Sequence, residues 1–291
     1  MKKVDLSSLN LKAYLKSIDI NIIKTSLTKL KPSSKYKNLI DNLEDIIKAT
    51  LSDIEVKYKD YLTPLSKKEK KKIEDIFDYS GHRQKENFME HFKKLNLKSC
   101  PFCNNNYIFF YTKGSGKFNT LATLEHYYPK VNYPHLSLSF YNLIPSCSTC
   151  NSKFKGKKEH VGKIVHPYYD DFDKNATFNV SLNGLGIKKG IELEVNLTSD
   201  NDKCKASIER FQLDKIYKQH DDIAKEIWNK AQIYNEDRIE ELYESFYKKL
   251  GYSKKDVKNF IFCNYLHVKD INKRNHAKLT QDILKQFKLY M

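Results

Sequence analysis

The stretches C-P-F-C at 100–103, T-L-E-H-Y-Y-P-K at 123–130, Y-N-L-I-P-S at 141–146 and C-S-T-C-N at 147–151 decide how this chain folds. Each C-x-x-C is a tight knuckle whose two thiolates converge on one point. Two such knuckles, Cys100/Cys103 and Cys147/Cys150 with 43 residues between them, complete the tetrahedron that structural zinc prefers. With all four ligands supplied by protein no coordination position stays open, so this ion stabilises rather than catalyses. A rubredoxin-like iron centre is the chemical rival, because it is also a tetrahedral sulfur site. Redox chemistry is the weaker alternative, since one C-x-x-C suffices for it.

The stretch between the knuckles turns a zinc module into a nuclease candidate. Order and spacing over residues 97–172 resemble the zinc-containing HNH (ββα-metal) endonucleases, including the endonuclease VII type. Their pattern is C-x-x-C, an acidic residue followed by His, an Asn, then C-x-x-C with His or Asn at the start of a helix. The resemblance implies His126 as general base, Glu125 and Asn151 as ligands of a catalytic metal, and Asn142 as the residue that braces the loop of the base. It also implies products with a 5′ phosphate and a 3′ hydroxyl. His166, in V-H-P-Y-Y-D-D, lies in a segment that similar bacterial proteins often carry, as a possible accessory substrate contact or ligand; a packed structural histidine is the commoner reading.

The residue types suit that chemistry. Phosphodiester hydrolysis needs an in-line water made nucleophilic and a leaving oxygen stabilised as it gains charge. An imidazole takes a proton near neutral pH, and carboxylate and amide oxygens suit a hard ion such as Mg²⁺. Successive residues of a regular strand face opposite ways, so Glu125 and His126 serve one site only from a strand end or bulge. Pro129 is consistent with the strand ending there. Asn151 is expected near the start of a helix over 152–157, whose backbone N–H groups favour an anion. Lys153, Lys155, Lys157 and Lys158 form the densest basic stretch and suit the grip on a nucleic-acid strand. Two departures from the family pattern stand out: Glu125 replaces the commoner Asp, and Asn151 replaces the final His, with Lys155 four residues on where a second His would stand.

Composition agrees with a polyanionic partner. Lys and Arg number 52 against 36 Asp and Glu, a net charge of +16, which favours phosphate contacts through counterion release. An AT-rich genome writes a similar Lys-, Asn-, Ile- and Tyr-rich mixture on any protein. Only Arg83, Arg210, Arg238 and Arg274 are arginines, so few side chains are available to read guanine bidentately. No apolar run approaches a membrane span and the first residues lack a signal-peptide pattern, so a cytoplasmic protein with no membrane association is expected. Cys204 and Cys263 stand outside the knuckles and are expected to be small buried hydrophobes.

The expected fold class is α+β: a small ββα-metal HNH core with a four-cysteine zinc site, flanked by helical N-terminal and C-terminal regions. Residues 1–95 show helical spacing, with Leu39, Ile40, Leu43, Ile46 and Ile47 on one face. Serines after Pro32 and Pro64 are candidate N-caps, and the lysine run 67–72 reads as a solvated helix start. Residues 96–172 form the core, with a strand candidate over Tyr107–Tyr111. Residues 173–291 begin with β-hairpin strands around Gly184, Gly186 and Gly190 and continue as helices, one stopping at Gly251. Tyr127, Tyr128 and Tyr133 are candidate base-stacking groups but more often core residues.

The reading is a metal-dependent endonuclease holding structural Zn²⁺ and a catalytic Mg²⁺ or other divalent ion, with DNA favoured over RNA. The overall layout resembles HNH subunits of bacterial anti-phage systems such as Septu, which implies an ATPase partner subunit. Two alternatives belong to other classes: a non-catalytic zinc module that only binds nucleic acid, and a ribonuclease toxin acting on tRNA.

Overall fold

Ser66 opens the helix Lys67–Phe77 by accepting from the Glu69 backbone while the Glu69 carboxylate accepts from the Ser66 N–H. This reciprocal cap satisfies two otherwise orphaned donors and anchors the lysine run as a solvated helix start. The computed structural model describes residues 1–30, 34–62, 64–112, 118–156, 160–186 and 190–289. Its elements are helices mixed with three separate two-stranded antiparallel sheets, an α+β fold. The chain divides into two compact units, one of residues 5–96 and 108–161, the other of residues 1–4, 97–107 and 162–291. Among the described residues no helix is long and apolar enough to cross a membrane.

In the first of these units, the short helices of the amino-terminal region close around aromatic side chains. Tyr14, Phe88, Phe92 and Phe140 are fully buried, and Phe92 stacks on Phe140 with ring centroids 5.2 Å apart. Tyr14 meets Phe140 edge-on at 5.2 Å. Each such pair adds about 0.5–1.5 kcal/mol beyond burial. The helices also hold one loop by hydrogen bonds: Tyr14 Oη donates to the loop carbonyl Leu138 O (2.9 Å), and the loop side chains Ser139 Oγ and His135 Nε2 donate to Ile46 O and Tyr58 O (2.7 Å each).

That loop lies between the paired strands Thr123–His126 and Leu143–Ser146. Strands β1 (Phe110–Thr112) and β2 (Phe118–Thr120) pair antiparallel; the strand expected from Tyr107 thus begins at Phe110, while Tyr107 makes an isolated bridge to Ser99. Strands β3 (Thr123–His126) and β4 (Leu143–Ser146) pair antiparallel, with Glu125 opposite Ile144 and His126 opposite Leu143. The helix Thr149–Lys155 follows β4 and packs on β3. It is wound with i→i+5 bonds, closed by Gly156 N–H donating to Asn151 O (2.9 Å), a rare form that is frequent at functional sites.

The second unit carries the hairpin of β5 (Ala176–Gly186) and β6 (Gly190–Ser199), with a register shift between Leu182 and Gly184. Phe178, Val180, Leu193 and Val195 face inward and are buried, whereas Thr177 and Ser181 are exposed, the period-two alternation of a one-sided sheet. The helix Ala277–Gln286 packs on β5. Its Asp282 Oδ2 accepts from Phe178 N–H (3.0 Å), and Gln286 both accepts from Val180 N–H (2.9 Å) and donates to Val180 O (2.8 Å). Backbone groups that an edge strand would leave open are thereby satisfied by side chains four residues apart on one helix. Gly251, in the left-handed region at φ 81°, ends the turn Lys248–Leu250 as expected. Cys204 is buried, but Cys263 is exposed. Cys263 follows the helix Lys254–Ile261 in a left-handed conformation (φ 51°), which turns its thiol outward instead of into the core.

Candidate metal and catalytic site

Both knuckles are pre-shaped by their own backbone. At the first, Cys100 N–H donates to Asn106 O (2.9 Å), Asn104 N–H to Cys100 O (2.8 Å), and Asn105 N–H points at Cys103 Sγ (3.4 Å). Asn104 occupies the left-handed region (φ 49°) and is fully buried. Its amide donates to Ser99 Oγ, Ile271 O and Arg274 O and accepts from Lys278 N–H. At the second, Cys150 N–H points at Cys147 Sγ (3.4 Å) and Asn151 N–H donates to Cys147 O (3.0 Å). N–H groups aimed at sulfur favour thiolate over thiol.

The four sulfurs are buried and all lie within 4.8 Å of one another. Zinc–sulfur bonds of about 2.3 Å in a tetrahedron place sulfurs about 3.8 Å apart, so the cluster fits a metal such as zinc with little adjustment.

Strand β3 ends at His126, and the chain there is fixed by a single amide. Asn142 Oδ1 accepts from Tyr128 N–H (2.6 Å), and its Nδ2 donates to Leu136 O (2.9 Å) and Tyr128 O (3.2 Å). Asn142 O also accepts from Tyr127 N–H (2.9 Å). The fully buried Asn142 thus ties the end of β3 to the turn at 134–136. His126 Nε2 donates to Ser137 O at 3.1 Å, just beyond that turn. A carbonyl only accepts, so Nε2 carries the hydrogen and Nδ1 the lone pair. Burial, assisted by the charges of Lys130, Lys155 and Arg83, pulls the His126 pKa down to about 3 against the Ser137 bond, leaving the ring uncharged at neutral pH.

Lys155 is placed otherwise than among strand-gripping lysines. It is buried, its Nζ lies 2.5 Å from Glu125 Oε1 and donates to His126 O at 2.7 Å. The pair links the helix Thr149–Lys155 to β3, because a charge buried without a counter-charge would be expensive. Asn151 lies four residues earlier on the same helix, hence on the same side; it is half-buried, and among the described residues its side-chain amide has no hydrogen-bond partner. Lys153 is exposed; Lys157 and Lys158 lie outside the described residues. His166 belongs to the other unit and is fully buried, its Nδ1 accepting from Tyr168 N–H (3.2 Å) and its ring packed on Tyr169 (5.1 Å). Tyr127 and Tyr128 are core residues.

Three neighbours of His126 carry no motif. Tyr79, on the turn Tyr79–His82, meets the imidazole edge-on at 4.4 Å and donates to Leu124 O (3.3 Å). Lys130 lies over the Tyr79 ring at 5.5 Å and pairs with Glu74 at 2.9 Å. Arg83 follows the same turn, its N–H donating to Tyr79 O. These come from the amino-terminal helices, 40 or more residues from His126 except for Lys130, and only the arginine's rarity could have drawn notice.

Two known proteins are similar over part of this chain. Protein ea31 of Escherichia phage lambda is 32% identical over 76 residues, 25% of this chain and 22% of that protein. Septu protein PtuB of Bacillus thuringiensis is 33% identical over 73 residues, 25% of this chain and 28% of that protein. The chain therefore matches less than a third of either relative's length. No family profile matches it, and no solved structure matches it significantly. Similarity to a Septu protein over a quarter of its length, together with a buried four-cysteine cluster able to bind a metal, is what this chain has in common with known proteins.

Proposed function

We propose that this protein is an HNH-type endonuclease that hydrolyses phosphodiester bonds of nucleic acid, DNA ahead of RNA, in bacterial anti-phage defence. The observation that carries the reading is the arrangement around β3: an uncharged imidazole at a strand end, a buried carboxylate beside it, and an asparagine on the helix that packs against that strand. The partial similarity to a Septu protein supports the defence setting and, with it, a partner ATPase subunit.

Zn²⁺ in the four-thiolate cluster would hold the fold. Glu125 and Asn151 are oxygen donors of the kind that suit Mg²⁺, which when bound would polarise the scissile phosphate and neutralise the leaving oxygen. The remaining work falls to the chain itself. His126 Nδ1, the lone-pair nitrogen, takes the proton of the attacking water, while Nε2–H stays on Ser137 O and fixes the ring. Asn142 keeps that carbonyl in place through the 134–136 turn. Lys155 holds Glu125 in one rotamer and, through His126 O, holds the end of β3. The exposed Lys153 faces solvent, where a phosphate backbone is within its reach.

The test is cleavage of plasmid DNA, single-stranded DNA and tRNA by zinc-loaded wild type and His126→Ala, with Mg²⁺, Mn²⁺ and Ni²⁺ scanned. Divalent-dependent nicking lost in His126→Ala with unchanged folding supports the reading. Equal behaviour of both proteins on every substrate overturns it, and preference for tRNA overturns the DNA assignment.

A further inference from the structure

Resting on the nuclease reading, we propose that Arg83 is the residue that grips the scissile phosphodiester beside His126, binding its non-bridging oxygens through the guanidinium fork. Three cations stand around the Tyr79–His126 ring pair: Lys155 donates to His126 O, Lys130 lies over the Tyr79 ring, and Arg83 follows the turn that bears Tyr79. They are not equivalent. Lys155 is committed to Glu125 at 2.5 Å, and Lys130 is committed to Glu74 at 2.9 Å. Among the described residues the Arg83 guanidinium makes no ion pair and no hydrogen bond, although acidic residues are abundant in the chain. Arg83 is half-exposed. It is a cation held ready and left open.

Its position is fixed by the turn that bears it. Arg83 N–H donates to Tyr79 O at 2.9 Å, so the two residues lie one above the other, four apart on one face. That face is the one Tyr79 sets edge-on against His126 at 4.4 Å. The turn itself is braced by side chains. Asp78 caps it by accepting from Gly81 N–H (3.0 Å), an approach so close that a Cβ on Gly81 would lie 2.0 Å from the Asp78 carboxylate. His82 Nδ1 donates to Asp78 O (2.9 Å), and His82 Nε2 accepts from Asp19 N–H (3.2 Å).

A planar guanidinium donates two parallel hydrogen bonds to a phosphate, which positions it as well as attracting it. Such a contact strengthens as charge builds on the phosphoryl oxygens during attack, so its loss lowers kcat as well as raising KM. The substrate chemistry is therefore a phosphodiester with its anionic oxygens turned towards the Tyr79–Arg83 turn and its in-line face towards His126.

The test compares full-length, zinc-loaded wild type, Arg83→Gln, Arg83→Lys, His126→Ala, and as a control Arg238→Gln, whose arginine is exposed and paired with Glu241. Cleavage of a defined DNA duplex gives kcat and KM. Binding of the same duplex to His126→Ala, with and without Arg83→Gln, gives the slope of log Kd against log salt. We expect Arg83→Gln to lower kcat about 100-fold, with zinc content and melting temperature unchanged. The salt slope should fall by about 0.9, one phosphate contact. Arg83→Lys should restore the slope and only part of kcat, because it returns the charge without the fork. Arg238→Gln should match wild type. If wild type cleaves and Arg83→Gln keeps its kcat, KM and salt slope, the Arg83 assignment is overturned while the nuclease reading stands. If wild type and His126→Ala behave alike on every substrate, the nuclease reading falls and this assignment with it. Should Arg83→Gln melt early, the Arg83→Lys pattern decides alone: reduced kcat with an intact slope supports the grip, and wild-type kcat overturns it.

Discussion

The ammonium of Lys155 lies 2.5 Å from the carboxylate of Glu125, and only 1% and 4% of the two side chains is exposed. A buried pair of this kind is costly to break and cheap to replace whole, because removing one partner strands the other charge in a poor solvent. Lys155→Met should destabilise the protein by about 3–5 kcal/mol, and adding Glu125→Gln should recover much of that loss. Urea unfolding of the two single variants and the double variant measures the coupling. Additive single effects would show that the pair does not act as a unit.

Asn142 offers a sharper separation of structure from chemistry. Asn142→Asp keeps an oxygen for Tyr128 N–H but sets a second oxygen against Leu136 O and Tyr128 O. Two acceptors facing a buried anion should cost about 2–4 kcal/mol, and cleavage should fall at temperatures where zinc is still retained. Thermal melts with activity on the same samples check this. Unchanged cleavage in the folded variant would mean that the loop of His126 does not need its brace.

His135 makes stability depend on pH. Burial lowers its pKa from 6.5 to about 4, against the bond from Nε2 to Tyr58 O. Among the described residues Nδ1, where a second proton would go, is buried without a partner. Since the folded pKa is below the unfolded one, the unfolded chain binds more protons between pH 6.5 and 4. The contribution is therefore fully present above pH 6.5 and is lost as pH falls towards 4, to a maximum of about 3 kcal/mol. His135→Gln should make the stability profile between pH 7.5 and 5 shallower in urea titrations without removing the slope, because His126 and His276, whose pKa values burial also lowers, contribute in the same window. A wild-type slope in that variant would assign the effect elsewhere.

The features legible in the sequence are those set by neighbours in the chain. Both knuckles, the Ser66–Glu69 cap, the β5–β6 hairpin and the stop at Gly251 each depend on residues within a few positions of one another, or on a periodic pattern. That Glu125 and His126 lie at a strand end, with Asn142 next to the chain that follows it, was legible because the motif fixes a spacing. The pairing of Lys155 with Glu125 was hidden because a lysine in a basic run reads as solvated, and only packing of the helix on β3 shows that this one turns inward. Tyr79 and Arg83 were hidden because nothing near them in the chain signals a site; the His126 ring gives them meaning. Cys263 is exposed although its residue type favours burial, and its backbone there is left-handed.

That thiol allows the zinc assignment and the corrected Cys263 environment to be tested together. Cys263 is the exposed cysteine, Cys204 is buried with its pKa raised by burial, and the remaining four share the cluster. A maleimide reacts with accessible thiolate, so native protein should take up one label quickly, and Cys263→Ser should take up none. Removal of zinc by a strong chelator should expose the cluster thiols and lower the melting temperature, since binding free energy in such sites is folding free energy. Metal analysis should return about one zinc per chain, and Cys147→Ser should lose it. Fast labelling of several thiols in freshly purified, metal-loaded protein would mean that the four sulfurs do not share an ion.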